Sequence, residues 1–202
     1  MKQEYKWMRP ENLDTETLLQ TKLISETMSE QKTTVMKAVY YDTTDHVFST
    51  LKGGLRLREE NERRVCCLKL QSRSEGACTM REEYEVEAPD IQTGLSILLE
   101  QHPLEELHRC LTGKELMELC RTEFIRNSCQ LDITSHEGAC RGELAIDTGK
   151  LMRETRSAPL SELEFEYLDG DLSAFHSFAA ELERTFGLEK QPLSKLARAM
   201  KV

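Results

Sequence analysis

The chain has 202 residues, of which 39% are hydrophobic and 31% are charged, and its formal net charge at pH 7 is -9. This balance is typical of a folded soluble protein and excludes a largely disordered chain. The negative net charge also argues against general binding to nucleic acid or to an anionic membrane surface.

The first half of the chain alternates between patterns typical of strands and of helices. Strands are predicted where apolar and polar side chains alternate, and helices where apolar residues recur three or four positions apart. The Gly53–Gly54 pair suits the end of a helix followed by a sharp entry into a strand. In chain order we predict strand Lys2–Met8, helix Asn12–Met28, strand Val35–Asp42, helix Asp45–Lys52, and strands Leu55–Glu59, Val65–Ser72 and Thr79–Ala88.

The second half begins with a long helical pattern, returns to strands and ends with an amphipathic helix. No low-complexity segment or long linker separates these elements. We therefore predict a single domain over residues 1–202, with a helical insertion near 91–119 as its only side unit. The predicted elements are helix Ile91–Leu119, strands Cys120–Asp132, Cys140–Gly149 and Leu160–Leu168, and helix Ser173–Phe186.

Charged residues recur at every second position in several predicted strands. Examples are Arg56 and Arg58 on one strand, and Glu162, Glu164 and Glu166 on another. Successive strand side chains point to opposite faces, so each run places its charges on a single face. On one strand, a solvated outer face explains such a run equally well. Charges of both signs on several strands favour an interior that faces a charged ligand.

These charges belong to a longer series of short motifs that spans nearly the whole chain. The motifs are Tyr40–Thr43, Gly54–Arg58, Leu68–Leu70, Arg81–Glu85, Glu143–Gly149, Glu162–Glu166 and Ser194–Lys195. In this order and spacing, the series resembles the signature of the CYTH proteins, also called triphosphate tunnel metalloenzymes. The resemblance implies an α+β fold that is mainly antiparallel β: a closed eight-stranded tunnel barrel with a charged lumen and helices packed outside.

The resemblance also implies that basic residues bind a triphosphate. Planar guanidinium groups suit phosphate oxygens through paired hydrogen bonds, and lysines add compact charges. Arg121 is favoured over Arg126, which falls on the opposite face of its strand. The implied catalytic residues, which also bind substrate, are Lys6, Arg56, Arg58 and Lys69, and the further substrate-binding residues are Arg81, Arg121 and Lys195.

Carboxylates beside a polyanion would repel it unless a divalent cation lies between them. Mg²⁺ and Mn²⁺ accept carboxylate oxygens on one side and phosphate oxygens on the other. By the resemblance, Mg²⁺ or Mn²⁺ is the expected cofactor. The implied metal ligands are Glu4, Glu162, Glu164 and Glu166, and the implied supporting residues are Glu83, Glu85, Glu143 and Asp147.

The implied activity is that of a metal-dependent triphosphatase, a hydrolase of acid anhydrides. Water attacks the terminal phosphorus while the metal polarises the phosphoryl group and the basic residues balance the developing charge. Inorganic tripolyphosphate, or a small organic triphosphate such as thiamine triphosphate, is the expected substrate. Neither nucleic acid nor a membrane is an expected partner.

One residue departs from the family's pattern. The first strand of the family carries Glu-x-Glu-x-Lys, whereas this chain has Lys2 where the first glutamate is expected, followed by Glu4 and Lys6. Two alternatives therefore stay open. The protein could bind polyphosphate or nucleotide without turnover, or it could be an adenylyl cyclase, an activity that also occurs in the family.

The cysteines and the chain start bear on the cellular compartment. The chain has seven cysteines, including the adjacent Cys66 and Cys67, with no CxxC spacing or Cys/His cluster typical of zinc. No stretch has the apolar length of a transmembrane helix, and the start lacks the apolar core of a signal peptide. We therefore expect a cytoplasmic protein with reduced, mostly buried thiols.

Overall fold

The computed structural model describes residues 2–75 and 78–202, and it describes the side chains of these residues except for 71–75 and 79–81. Nine strands run through this part of the chain. They are β1 (Lys2–Met8), β2 (Met28–Thr43), β3 (Gly54–Glu60), β4 (Arg63–Glu75), β5 (Cys78–Glu87), β6 (Leu116–Ser135), β7 (Gly138–Arg153), β8 (Arg156–Gly170) and β9 (Glu189–Lys190).

Seven helices connect or follow these strands within the described residues. Side chains cap four of them at the first turn, because Asp14, Asp90, Asp171 and Ser194 accept hydrogen bonds from backbone amides there. The helices are α1 (Thr15–Gln20), α2 (Lys22–Ser25), α3 (Val47–Thr50), α4 (Ile91–Gln101), α5 (Glu105–Leu111), α6 (Leu172–Phe186) and α7 (Lys195–Ala199). None of the helices in the described part is long and apolar enough to cross a membrane.

The strands form one antiparallel sheet in the order β5-β4-β3-β2-β6-β7-β8-β1-β9, with an additional pairing between β1 and β5. The predicted α+β, mainly antiparallel composition is present, but the predicted closed eight-stranded barrel is wrong. One edge of β1 pairs with β8. Its other edge is divided, because residues 2–5 pair with β5 and residues 7–8 pair with β9. The sheet therefore has nine strands and ends at β9.

Several element boundaries also differ from the prediction. β2 begins at Met28 rather than Val35, because the polar segment after Met28 pairs with β6 over residues 126–131. The predicted helix Asn12–Met28 is consequently reduced to α1 and α2. The helical pattern near 91–119 forms α4 and α5, and β6 begins at Leu116, which pairs with Thr43. The division into domains stays a prediction.

The apolar core lies between the sheet and the helices outside it. Phe175 and Phe178 of α6 pack on the fully buried Phe165 of β8. On the other side of the molecule, α4 and α5 pack on β3 and β4, where Leu55 and Leu68 are fully buried. Burying one such side chain stabilises the fold by about 1.5–3 kcal/mol. This packing turns the apolar residues of each strand toward the helices and leaves the alternate residues to line the other face.

Candidate functional site

A cavity of about 360 Å³ lies on the face of the sheet opposite the helices α4, α5 and α6. Residues of β1 through β8 and the beginning of α7 line it, and the lining is mainly charged. The cationic residues are Lys2, Lys6, Lys32, Lys52, Arg56, Arg58, Lys69, Arg126 and Lys195, and the acidic residues are Glu4, Glu60, Glu83, Glu143, Glu164 and Glu166.

Most of the residues singled out from the sequence lie in this one cavity. Glu162 and Asp147 are fully buried and Glu85 is exposed; none of the three lines the cavity, but each contacts a residue that does. The side chain of Arg81 lies outside the described residues. The predicted residues that line the cavity are Lys6, Arg56, Arg58, Lys69, Lys195, Glu4, Glu83, Glu143, Glu164 and Glu166.

The two arginines of β6 are placed in the reverse of the expected order. Arg121 does not line the cavity, since its side chain is 56% exposed and pairs with Glu118 at 2.5 Å. Arg126 lines the cavity and donates hydrogen bonds of 2.8 and 2.7 Å to the two oxygens of Asp147. The cause is the face of β6 that lines the cavity, which carries Phe124, Arg126 and Ser128, whereas Arg121 lies on the other face; the register with β7 then places Arg126 opposite Asp147. A search for a cross-strand partner of Asp147 would have found it.

Glu83 forms the centre of a cluster dominated by cations, which we call the Glu83 cluster. Its side chain is 3% exposed, and Oε1 lies 3.0 Å from Lys69 Nζ and 3.8 Å from an Arg56 nitrogen. Lys2 Nζ lies 3.9 Å from Oε2, and the Cys67 thiol donates a hydrogen bond of 3.0 Å to Oε1. Burial raises the pKa of Glu83, but the charges of Lys69, Arg56 and Lys2 outweigh it and hold the pKa well below its usual range.

Arg58 extends this basic region along β3. Its Nε lies 2.6 Å from Glu60 Oε1, and another of its nitrogens lies 3.3 Å from Glu85 Oε1. Glu85 therefore supports Arg58 from β5. Arg56 has a second polar neighbour, because one of its nitrogens lies 3.5 Å from the hydroxyl of Tyr40. Both guanidinium groups therefore have polar neighbours while they line the cavity.

Lys195 forms the centre of the opposite arrangement, an ammonium between three carboxylates, which we call the Lys195 cluster. Nζ lies 2.8 Å from Asp147 Oδ2 and 2.9 Å from Glu164 Oε1, and it also pairs with Glu162. Burial lowers the pKa of Lys195, but the three carboxylates outweigh it and raise the pKa above its ordinary value. Ser194 caps α7 and so fixes the helix that positions this lysine.

Two arginines complete the Lys195 cluster. Arg126 lies 2.5 Å from Glu164 Oε2 in addition to its bonds to Asp147, and Arg198 pairs with Glu162. Burial raises the pKa of Glu164, but Lys195, Arg126 and Lys6 outweigh it and hold the pKa well below its usual range. Burial is the main reason that the pKa of Glu162 is raised, and the neighbouring charge of Glu164 adds to it.

A third group of carboxylates crosses β1, β8 and β7 in register. Glu4 lies opposite Glu166, and Glu166 lies opposite Glu143. Burial raises the pKa of Glu143; Arg126 acts in the opposite direction, and the charge of Glu166 adds to the increase. We call these residues the carboxylate row.

The carboxylates present fit a hard divalent ion. Oxygen atoms of Asp147, Glu162 and Glu164 lie within 4.8 Å of one another, and carboxylate oxygens are the ligands that Mg²⁺ and Mn²⁺ prefer. The carboxylate row supplies the same ligand type within the cavity. In the Lys195 cluster, however, the ammonium lies between the carboxylates, so an ion would have to replace it there.

Together, the sheet and its charged cavity define a class of protein that the family comparison identifies. The chain belongs to the CYTH domain family, whose model matches residues 3–200. This finding confirms the resemblance seen in the sequence.

Individual relatives agree with this assignment. The chain is 26% identical over 157 residues to an inorganic triphosphatase of Haemophilus influenzae, covering 77% of this chain but only 42% of that relative. Two solved structures share the fold over the whole of this chain. One is a Hippeastrum protein described as having a dominant triphosphatase activity (TM-score 0.64, 19% identity, 96% of that chain), and the other is PH1819 of Pyrococcus horikoshii (TM-score 0.58, 18% identity, 99% of that chain).

Proposed function

We propose that this protein is a divalent-metal-dependent triphosphatase that acts on inorganic tripolyphosphate or a small organic triphosphate such as thiamine triphosphate. One observation carries the proposal: a single cavity gathers lysines, arginines and carboxylates from eight strands of the sheet. The family membership and the names of the relatives support it. The roles of the individual residues and the identity of the metal are part of the proposal.

The Glu83 cluster and Arg58 are the proposed site of the phosphate groups. Arg56 and Lys69 share one carboxylate, so their positive charges exceed the negative charge between them. Guanidinium groups bind phosphate oxygens in pairs, and an ammonium adds a charge without a fixed direction. These residues would also balance the charge that develops on the leaving oxygens as the phosphoanhydride bond breaks.

The carboxylates are the proposed holders of Mg²⁺ or Mn²⁺. When bound, such an ion polarises the phosphoryl group and favours the attack of water. Glu4, Glu164 and Glu166 line the cavity, and Glu162 lies behind it as a second layer. Lys6 also lines the cavity: burial lowers its pKa, while the charges of Glu164, Glu162 and Glu4 act in the opposite direction. Lys6 would bind a phosphate oxygen next to the carboxylates.

A small substrate fits the described lining better than a nucleotide. Its aromatic side chains, in the part of the chain described, are Tyr40 and Phe124. Tyr40 contacts Arg56, and the Phe124 ring already faces Lys195 Nζ at 5.2 Å and Arg126 at 5.8 Å. Tyr40 is 6% exposed and Phe124 is 7% exposed, and the Phe124 ring already faces two cations, so neither ring offers a free surface on which a base could stack.

A binding module without turnover is the second candidate. The Lys195 cluster favours it, because Lys195, Arg126 and Arg198 together balance the charges of Asp147, Glu162 and Glu164 without a metal ion. Such a protein would bind a triphosphate through the arginines and leave it intact.

Product analysis distinguishes these candidates. Purified protein is incubated with tripolyphosphate, thiamine triphosphate or ATP, in Mg²⁺, in Mn²⁺ or in EDTA, and products are separated by ion chromatography. Phosphate released only with a divalent ion supports the triphosphatase. Binding without products supports the binding module, and cyclic nucleotide with pyrophosphate would identify a cyclase. Glu123→Ala, at an exposed ion pair with Lys150, is the matched control for variants of the cavity.

A further inference from the structure

Lys2 lies between the carboxylate row and the Glu83 cluster. It lies on β1 two residues before Glu4, lines the cavity, and keeps 43% of its side chain exposed. Its ammonium lies 3.1 Å from Glu166 Oε1 and 3.9 Å from Glu83 Oε2. Since β8 and β5 flank β1 on opposite sides, Lys2 connects the carboxylate row with the Glu83 cluster.

The carboxylate row places three acidic side chains opposite one another on paired strands. Glu4 is 6% exposed and lies directly opposite Glu166, which in turn lies opposite Glu143. Like charges directly opposite one another on paired strands destabilise a sheet. A divalent ion bound by these oxygens would remove the repulsion, and so, in part, does the ammonium of Lys2.

We propose that Lys2 is a specificity-determining residue with two effects. First, its ion pair with Glu166 weakens the binding of a divalent ion by the carboxylate row. Second, its ammonium offers a positive charge to a phosphate group of the substrate beside the carboxylate row. The second part rests on the proposed triphosphate substrate, whereas the first concerns the ion alone. An ammonium cannot coordinate water or phosphate as a metal ion does. Lys2 therefore contributes charge without Lewis-acid chemistry and lowers the number of carboxylates available to an ion.

Mn²⁺ alone is the probe for the first part. The full chain is titrated with Mn²⁺ without any triphosphate, free Mn²⁺ is followed by electron paramagnetic resonance, and calorimetry gives the dissociation constant. We expect Lys2→Met to bind Mn²⁺ severalfold more tightly than the wild type. Lys2→Glu adds a ligand as well as removing a cation, so we expect a gain of about tenfold or more, the scale of effects around metal ligands.

Lys150 provides the matched control. It forms an exposed ion pair with Glu123 at 3.2 Å, away from the cavity lining. Lys150→Met and Lys150→Glu change the net charge by the same amounts as the Lys2 variants, and we expect both to keep the wild-type Mn²⁺ affinity. If Lys2→Glu fails to fold by circular dichroism, Lys2→Met still decides the outcome.

A double-mutant cycle separates the proposed role from a purely structural one. In a Glu166→Gln background, Lys2 no longer competes for a carboxylate at that position. Lys2→Met should then leave the Mn²⁺ affinity unchanged, within about twofold. An equal gain in both backgrounds would contradict the proposed role of Glu166, and equal Mn²⁺ affinity of the wild type and both Lys2 variants would overturn the proposal.

The second part is tested with tripolyphosphate in EDTA, where no divalent ion contributes. We expect Lys2→Met to weaken tripolyphosphate binding severalfold and Lys2→Glu to weaken it further; unchanged binding would overturn this part. Failure of the proposed function is distinguishable, because it would appear as an absence of phosphate release by the wild type. The Mn²⁺ titrations do not depend on turnover and would still report on Lys2.

Discussion

The cavity contains two charge clusters of inverse design. In the Glu83 cluster, one buried carboxylate contacts Lys2, Arg56 and Lys69, so positive charge is in excess. In the Lys195 cluster, one buried ammonium contacts three carboxylates, and Arg126 and Arg198 complete the neutralisation.

This difference in net charge predicts different roles for the Glu83 cluster and the Lys195 cluster. A cluster with excess positive charge attracts a polyanion without any further component. A cluster that is already balanced binds a divalent ion only when one of its own cations gives way. We therefore expect the Glu83 cluster to govern triphosphate affinity and the Lys195 cluster to govern the response to metal.

Lys195→Met should produce the largest effect. Removing one partner of a buried ion pair leaves the others uncompensated and typically costs about 3–5 kcal/mol. We expect this loss in the free energy of unfolding, measured with urea in EDTA, and a partial recovery in Mg²⁺, because an ion that binds only the folded protein stabilises it. Lys150→Met is the control. Equal stability of the variant and the wild type in EDTA would break the comparison between the clusters.

Glu164→Ala should impair turnover while the fold survives. Lys195 keeps Asp147 and Glu162 as partners, so its ammonium remains paired. We expect the metal-dependent rate of tripolyphosphate hydrolysis to fall by about 100-fold or more, because even groups that only orient a metal ligand contribute about 10- to 100-fold. Circular dichroism reports on the fold, and Glu123→Ala serves as the surface control. Full activity of Glu164→Ala would show that the Lys195 cluster does not govern the metal.

Arg56→Ala should weaken substrate binding more than it affects the metal. Hydrogen bonds to charged groups contribute about 1.5–3 kcal/mol, so we expect the dissociation constant for tripolyphosphate to rise roughly 10- to 150-fold. Calorimetry in EDTA measures this loss. Arg63→Ala, at an exposed pair with Glu87, is the matched control. If Arg56→Ala changed Mn²⁺ affinity as much as tripolyphosphate affinity, the two ends of the cavity would not be separate.

The sequence predicted the composition of the cavity better than its internal contacts. Alternation along one strand reveals which residues share a face, so Arg56 could be placed with Arg58, and Glu164 with Glu166. That these strands face one cavity was implied by the resemblance. Which cation contacts which carboxylate depends on the register between strands, and one strand contains no information on it. The position of Lys195 between carboxylates therefore cannot be read from the sequence. Arg121 is favoured over Arg126 by the resemblance, and alternation alone does not say which face of β6 lines the cavity.

The architecture could be predicted only in part for a related reason. The long strands have clear alternation, whereas β9 has two residues, Glu189 and Lys190, with no pattern to detect. This short strand takes part of the edge of β1 and so changes the sheet from the predicted eight strands to nine. The first part of β2 is polar on both faces, and its pairing with β6 is a tertiary effect that local propensity does not contain.

The smallest expected effect is the contribution of Glu83 to the pH dependence of the free energy of unfolding. The pKa of Glu83 is held well below its usual range, so this carboxylate stabilises the folded state above the unfolded-state pKa of about 4.3, and the contribution is lost as pH falls through the lower folded-state pKa. Over that interval one carboxylate contributes a slope of at most about 1.4 kcal/mol per pH unit.

Urea unfolding from pH 7 to pH 3 should therefore show a shallower dependence of the free energy of unfolding on pH for Glu83→Gln than for the wild type. Glu26→Gln, at an exposed pair with Lys22, is the baseline for losing one surface carboxylate. Parallel slopes for Glu83→Gln and the wild type would mean that the surrounding cations do not hold Glu83 ionised, and the excess of positive charge assigned to this cluster would then be wrong.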